Sequence, residues 1–200
     1  YFSSLTMKFS KALSDEAGKD LVVVPNLNLP RKTKKLISSL FPSKILNFKF
    51  LLVKSLIKNF TTILKINSSN TLATSLDQAV TGSVDDALKL GCAAIGFTIY
   101  PGSEHNFDLM EEFKKLSFEA KEKGLAVVLW AYARGSNISK KGETAMNIIS
   151  YAAHISALLG ANIIKVKLPS DFLEDDPTKK AFEDNNININ TLKDRVAHIK

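Results

Sequence analysis

FDLMEEFKKLSFEAKEKGLAVVLWAY, residues 107–132, reads as two halves. In the first, Phe107, Met110, Phe113, Leu116 and Ala120 recur at helical spacing with Glu and Lys between them, and Gly124 stops the run. In the second, Leu125 to Ala131 is apolar on both faces, the pattern of a strand covered above and below rather than solvated on one side. The same cycle lies on either side. Upstream, Ser83-Val-Asp-Asp86 spells a capping box for a short helix that Gly91 closes, the strand Ala93 to Tyr100 follows, and Pro101-Gly102 makes the turn. Downstream, Ile148, Ala152, Ile155 and Leu159 mark one face of a helix over Thr144 to Leu159, Gly160 ends it, and Ala161 to Val166 is the next strand. A last helix is predicted over Thr191 to Ile199. Strand and helix alternating at about 32 to 36 residues give an α/β class with a buried parallel sheet.

The first third is less legible. Leu21 to Val24 and Ile63 to Asn67 have strand character, whereas the Lys-, Leu-, Ile- and Phe-rich stretch between them has no clear caps and is compatible with one or two basic helices. Residues 1–70 carry 12 Lys/Arg against 3 Asp/Glu, and residues 71–200 carry 15 against 17, so the net charge of +7 belongs to the N-terminal segment. Residues 31–65 could therefore form a basic module for nucleic acid or an anionic membrane surface, but charge alone supports that and no RNA-binding or helix-turn-helix signature accompanies it. Neither partner is expected. The longest apolar stretch, Ile45 to Leu64, is broken by Lys49, Lys54 and Lys58 and is not expected to span a bilayer. Cys92 is the only cysteine, which excludes an intrachain disulfide and fits a reducing, cytoplasmic setting. His105, His154 and His198 lack ligand spacing, so no metal and no cofactor are expected.

In a parallel α/β sheet, working residues gather at the C-terminal strand ends. Tyr100, Trp130, Tyr132, Lys165 and Lys167 occupy such positions. Trp130 and Tyr132 are two apart and share a face, as do Lys165 and Lys167. A lysine is nucleophilic only when neutral, and desolvation or a nearby cation lowers its pKa from about 10.4 toward that state. The apolar strand ANIIKVK (161–167) supplies the first influence for Lys165, and Lys167 is expected to supply the second. Such an amine condenses with a carbonyl to an iminium, which is an electron sink for breaking or making the adjacent C–C bond. Tyr132 is the candidate proton carrier. Residue pattern alone leaves open that Lys165 snorkels to solvent and that the aromatics belong to the core or rim.

ILKINSSNTL, LGCAAIGFTIYPGSE, VVLWAYARGS and LGANIIKVKLP, in this order and at these intervals, resemble the DhnA-type class I fructose-bisphosphate aldolases of bacteria and archaea. The similarity runs from about Ile63 to Ile199. It implies a partial (β/α)₈ TIM barrel with roughly strands three to six recognisable, in which residues 63–200 form an incomplete barrel domain behind a divergent basic segment, 1–62. It also implies that Lys165 forms the Schiff base, with Lys167 its supporting neighbour and Tyr132 active in proton transfer. Trp130 and Lys65 would line the substrate pocket. The implied reaction cleaves fructose 1,6-bisphosphate to dihydroxyacetone phosphate and glyceraldehyde 3-phosphate in glycolysis and gluconeogenesis, by a homo-oligomer when the protein is complete.

Two departures matter. The family's Asp-His-Gly motif has no match in LVVVPNLNLP (21–30), and its Ser-Gly-Gly and Gly-Arg phosphate loops would lie beyond Lys200. The expectation is a truncated, perhaps frame-altered gene product whose parallel sheet has two open edges. An inactive remnant and a related Schiff-base lyase or transferase acting on another carbonyl are the alternatives.

Overall fold

Local capping chemistry sets the start of several helices in the computed structural model, which describes residues 9–14, 20–25 and 62–199. Strands β1 (Phe9–Ser14), β2 (Asp20–Pro25), β3 (Ile63–Lys65), β4 (Asn67–Ser68) and β5 (Ala79–Val80) precede helix α1 (Val84–Lys89). The Ser83 capping box forms in both directions: Asp86 N donates to Ser83 Oγ at 3.0 Å, and Ser83 N donates to Asp86 Oδ2 at 3.0 Å. Then come β6 (Ala94–Ile99), α2 (Asn106–Glu122), β7 (Ala126–Ala131), a 3₁₀ turn (Gly142–Thr144), α3 (Met146–Leu158) and β8 (Ile163–Lys167). Gly124, at φ +78°, lets α2 reverse into β7, a backbone state that a side chain would resist.

Two helices close the chain, α4 (Asp176–Asp184) and α5 (Leu192–Ile199). The sequence reading did not anticipate α4. Its signal is present nonetheless: Asp175 caps Thr178 N at 2.8 Å, and a proline sits in the first turn. What it lacks is an apolar face, since none of its residues is buried.

Strands β3, β6, β7 and β8 are hydrogen-bonded in that order and are all parallel, the arrangement of consecutive strands in a partial (β/α)₈ barrel. One of the two expected open edges is occupied, because β2 pairs antiparallel with β8, Val22 opposite Lys165, and β1 pairs antiparallel with β2. A parallel edge presents unpaired N–H and C=O groups that a strand of either direction satisfies, so closing it takes no parallel crossover. The expected basic helices of the N-terminal third lie outside the described residues.

The anticipated strand Ile63 to Asn67 divides in two. Ile66 N still donates to Gly96 O at 2.9 Å, but Ile66 O accepts from Thr81 N and Gly82 N, which turns the chain from β6 toward β5. The buried Asn67 side chain then takes over the ladder, accepting from Thr98 N at 2.9 Å and donating to Thr98 O at 2.8 Å. Asn162 repeats the device between β7 and β8, its Oδ1 accepting from Val127 N at 2.9 Å.

Alternation divides the sheet into two faces. Ile95, Phe97, Ile99, Val127, Leu129, Ala131, Ile164 and Val166 face the helices and join Leu109, Phe113, Met146 and Ile149 in the main core. Ala94, Ala126, Val128 and Ile163 form a second cluster on the opposite face, with Ile63 and Trp130 packed against it.

Candidate functional site

Register decides which of the expected residues meet. Thr98 is level with Trp130, and Trp130 with Lys165, so the three occupy one row across β6, β7 and β8 near the C-terminal strand ends. Strand alternation puts Lys165 and Lys167 on the face of Val128 and Trp130, away from the helices. Lys65 is level with Gly96 on the same sheet. The Trp130 ring lies directly over Gly96, where any side chain would collide with its six-membered ring. Gly96 is thus the space into which the indole folds. Trp130, Tyr132, Lys165 and Lys167 are each half-buried.

Lys167 does not present a second bare cation. Its ammonium donates to Glu143 Oε2 at 2.6 Å, with the two side chains only 21% and 15% exposed. The other Glu143 oxygen takes Lys140 Nζ at 2.9 Å. Burial pushes the Glu143 carboxyl up, but the hydrogen bonds and charges of Lys167 and Lys140 outweigh it and hold it below the ordinary glutamate value. The expectation that Lys167 acts on Lys165 as a free positive charge is corrected accordingly. Glu143 escaped the sequence reading because it sits in a turn, 24 residues from its partner.

Lys65 is drawn into a different network. Its amine donates to Gln78 Oε1 at 2.8 Å and to the Asn67 carbonyl, and burial lowers its pKa. Gln78 Nε2 in turn donates to the hydroxyl of Tyr100 at 2.7 Å, so Tyr100 is buried and engaged. The Arg134 guanidinium stands over the Tyr100 ring at 6.0 Å and the Tyr132 ring at 5.9 Å, bridging the two tyrosines at the mouth. Neither Gln78 nor Arg134 had been singled out as a site residue.

The loop Pro101 to His105 builds a turn and a helix start. Ser103 N donates to Tyr100 O at 3.0 Å, while Ser103 Oγ donates to Leu76 O at 2.6 Å and accepts from His105 N at 3.0 Å. This loop, Thr74 to Leu76 and Gly135 to Ser136 enclose a polar cleft of about 360 Å³ on the same end of the sheet. The loops are locked together by close backbone contact of Gly135 with Gly102, which leaves no room for a β-carbon on Gly135. His154 and His198, far apart in sequence, line one cleft beside α3 and α5. Among the described residues there is no group of three or more His, Cys, Asp or Glu that could hold a metal, and no helix long and apolar enough to cross a membrane.

Comparison with known proteins relates the chain to aldolases. The profile of the DeoC/LacD family aldolases matches residues 50–199. A class 1 fructose-bisphosphate aldolase of Thermoproteus tenax is 39% identical over 110 residues, 54% of this chain and 41% of that protein. A fructose-bisphosphate aldolase/6-deoxy-5-ketofructose 1-phosphate synthase of Methanocaldococcus jannaschii is 41% identical over 75 residues, 38% of this chain and 24% of that protein. Among solved structures, a fructose-bisphosphate aldolase from Slackia heliotrinireducens superposes with a TM-score of 0.50 at 29% identity, covering 55% of this chain and 38% of that one. The chain spans about two-fifths or less of the length of these relatives.

Proposed function

The chain belongs to the DeoC/LacD family of aldolases, and from that premise we propose that it carries the Schiff-base half of a class I fructose-bisphosphate aldolase site on residues 63–200. The observation behind this reading is the row Thr98, Trp130, Lys165, which sets an amine beside an aromatic wall at the C-terminal end of parallel strands. The Lys165 amine adds to the ketone carbon of the substrate to give a carbinolamine. Loss of water then leaves a protonated iminium. With that sink in place, the C–C bond one carbon away breaks as the neighbouring hydroxyl gives up its proton, and the aldehyde product departs. The enamine left on Lys165 takes a proton at carbon, and hydrolysis frees the second product. Tyr132, at the end of the adjacent strand, is the proton carrier in this scheme. Trp130, Lys65 and Lys167 border the substrate.

Fructose 1,6-bisphosphate is the proposed substrate, with a cytoplasmic, glycolytic role in a homo-oligomeric complete protein. The double name of the Methanocaldococcus relative supports a second reading, in which the same amine serves another sugar-phosphate carbonyl. Borohydride reduction in the presence of dihydroxyacetone phosphate tests the amine itself. The expected result is a mass adduct on Lys165 that disappears in Lys165→Met. Failure to label the parent chain under conditions that label a full-length relative overturns the proposal.

A further inference from the structure

We propose that Glu143 is a positioning residue which, by holding Lys167 in an ion pair, cancels the charge beside Lys165 and sets the pH at which Lys165 condenses with a carbonyl. This rests on the reading of Lys165 as the Schiff-base amine.

Glu143 is delivered to the end of β8 by a turn pinned on several sides. Ser139 N and Oγ donate to the Glu174 carboxylate at 2.6 and 2.8 Å, and Gly142 N donates to Ser139 Oγ at 2.9 Å. Ser170 N, just past β8, donates to Thr144 O at 2.7 Å. Gly142 lies so close to the Glu174 carboxylate that a β-carbon would collide with it, so the turn is fitted to this place. The result is a carboxylate 2.6 Å from Lys167 Nζ in a pair shielded from water.

Residues two apart on a strand lie about 7 Å apart on one face. At that separation, with both side chains half-buried, an unpaired ammonium on Lys167 would disfavour the protonated form of Lys165, whereas a Lys167–Glu143 pair acts almost as a neutral group. Of the other charged groups at this end, Lys140 takes the outer oxygen of Glu143 and is 89% exposed, Glu174 is engaged by Ser139, Lys65 by Gln78, and Arg134 lies over the tyrosine rings, while the backbone of Asp20 is level with Lys167 in the β2–β8 register.

The test is cyanoborohydride trapping of dihydroxyacetone phosphate on Lys165 as a function of pH, read by mass. In Glu143→Gln the midpoint should fall by about one pH unit, because Lys167 is then an uncompensated cation. In Lys167→Met it should rise, because Glu143 then favours the protonated amine. The double variant should return close to the parent. An unmoved midpoint in both single variants, or a double variant that keeps the Glu143→Gln shift, overturns this proposal while leaving the iminium reading intact. Absence of any adduct in the parent overturns both.

Discussion

The two faces of the parallel sheet are built to different rules. The helix-side face carries large, branched or aromatic residues, with Phe97, Ile95, Ile99, Leu129 and Ile164 fully buried against α2 and α3. The opposite face runs Ala94, Gly96, Thr98 on β6 and Ala126, Val128, Trp130 on β7, then Ile163, Lys165, Lys167 on β8. Ala94, Ala126 and Ile163 at the N-terminal ends give way to one indole and two amines at the C-terminal ends. Apolar bulk on one side supplies the burial that orders the strands, and the other side carries the indole and the amines in a fixed register. The amines are tolerated because the opposite face of the same strands carries the packing.

The sharpest way to break that contrast is on the packed side. Phe97 is fully buried with its ring 5.6 Å from that of Phe113, and Phe97→Ala should cost about 3–5 kcal/mol in denaturant unfolding. A cost no larger than that of a surface change would show that the helix side is not the source of stability. On the open face, Gly96→Ala drives a methyl into the Trp130 ring and should cost about 1–3 kcal/mol. Because Trp130 is the only tryptophan, its fluorescence reports the displacement directly, and an unchanged emission spectrum would mean that the indole does not lie over Gly96.

Acid titration separates the faces more gently. A carboxyl whose folded pKa lies below its unfolded one contributes stability above the unfolded value and loses it as pH falls through the folded value. Glu143 is such a group, so stability should drop on acidification through and below the usual glutamate range, near pH 4. Glu143→Gln should flatten that part of the profile, read by thermal unfolding across pH. The smallest effect is expected at the surface, where Lys123 meets Asp85 at 2.6 Å and Glu119 at 2.7 Å with solvent around all three. Lys123→Ala should leave the unfolding midpoint essentially in place, since screened surface pairs contribute little.

Legibility followed the range of the interaction. The strands β6, β7 and β8 and the helices α1 to α3 were readable because each is announced by its own period, cap or terminal glycine. Helix α4 passed unnoticed because it buries nothing, although Asp175 and its proline mark its start. In the site, Lys165 drew notice as an amine in an apolar strand, and its row with Trp130 and Thr98 follows once the parallel register is known. Arg134 was invisible as a bridge because, although both tyrosines stand out at strand ends, no one-dimensional pattern sets a loop guanidinium over their two rings.

Sequence alone determined the alternation of strand and helix, the class of sheet and the lysine pair on one strand face. These depend on neighbours a few residues apart, where periodicity and capping act. Tertiary structure decided that Lys167 meets Glu143, that Lys65 meets Gln78, that Asn67 extends the ladder to Thr98, and that β2 lines the edge of β8. Those pairings join residues 13 or more positions apart. Their formation depends on how loops and crossovers return the chain, and hydrophobic period carries no information about which polar partner waits there.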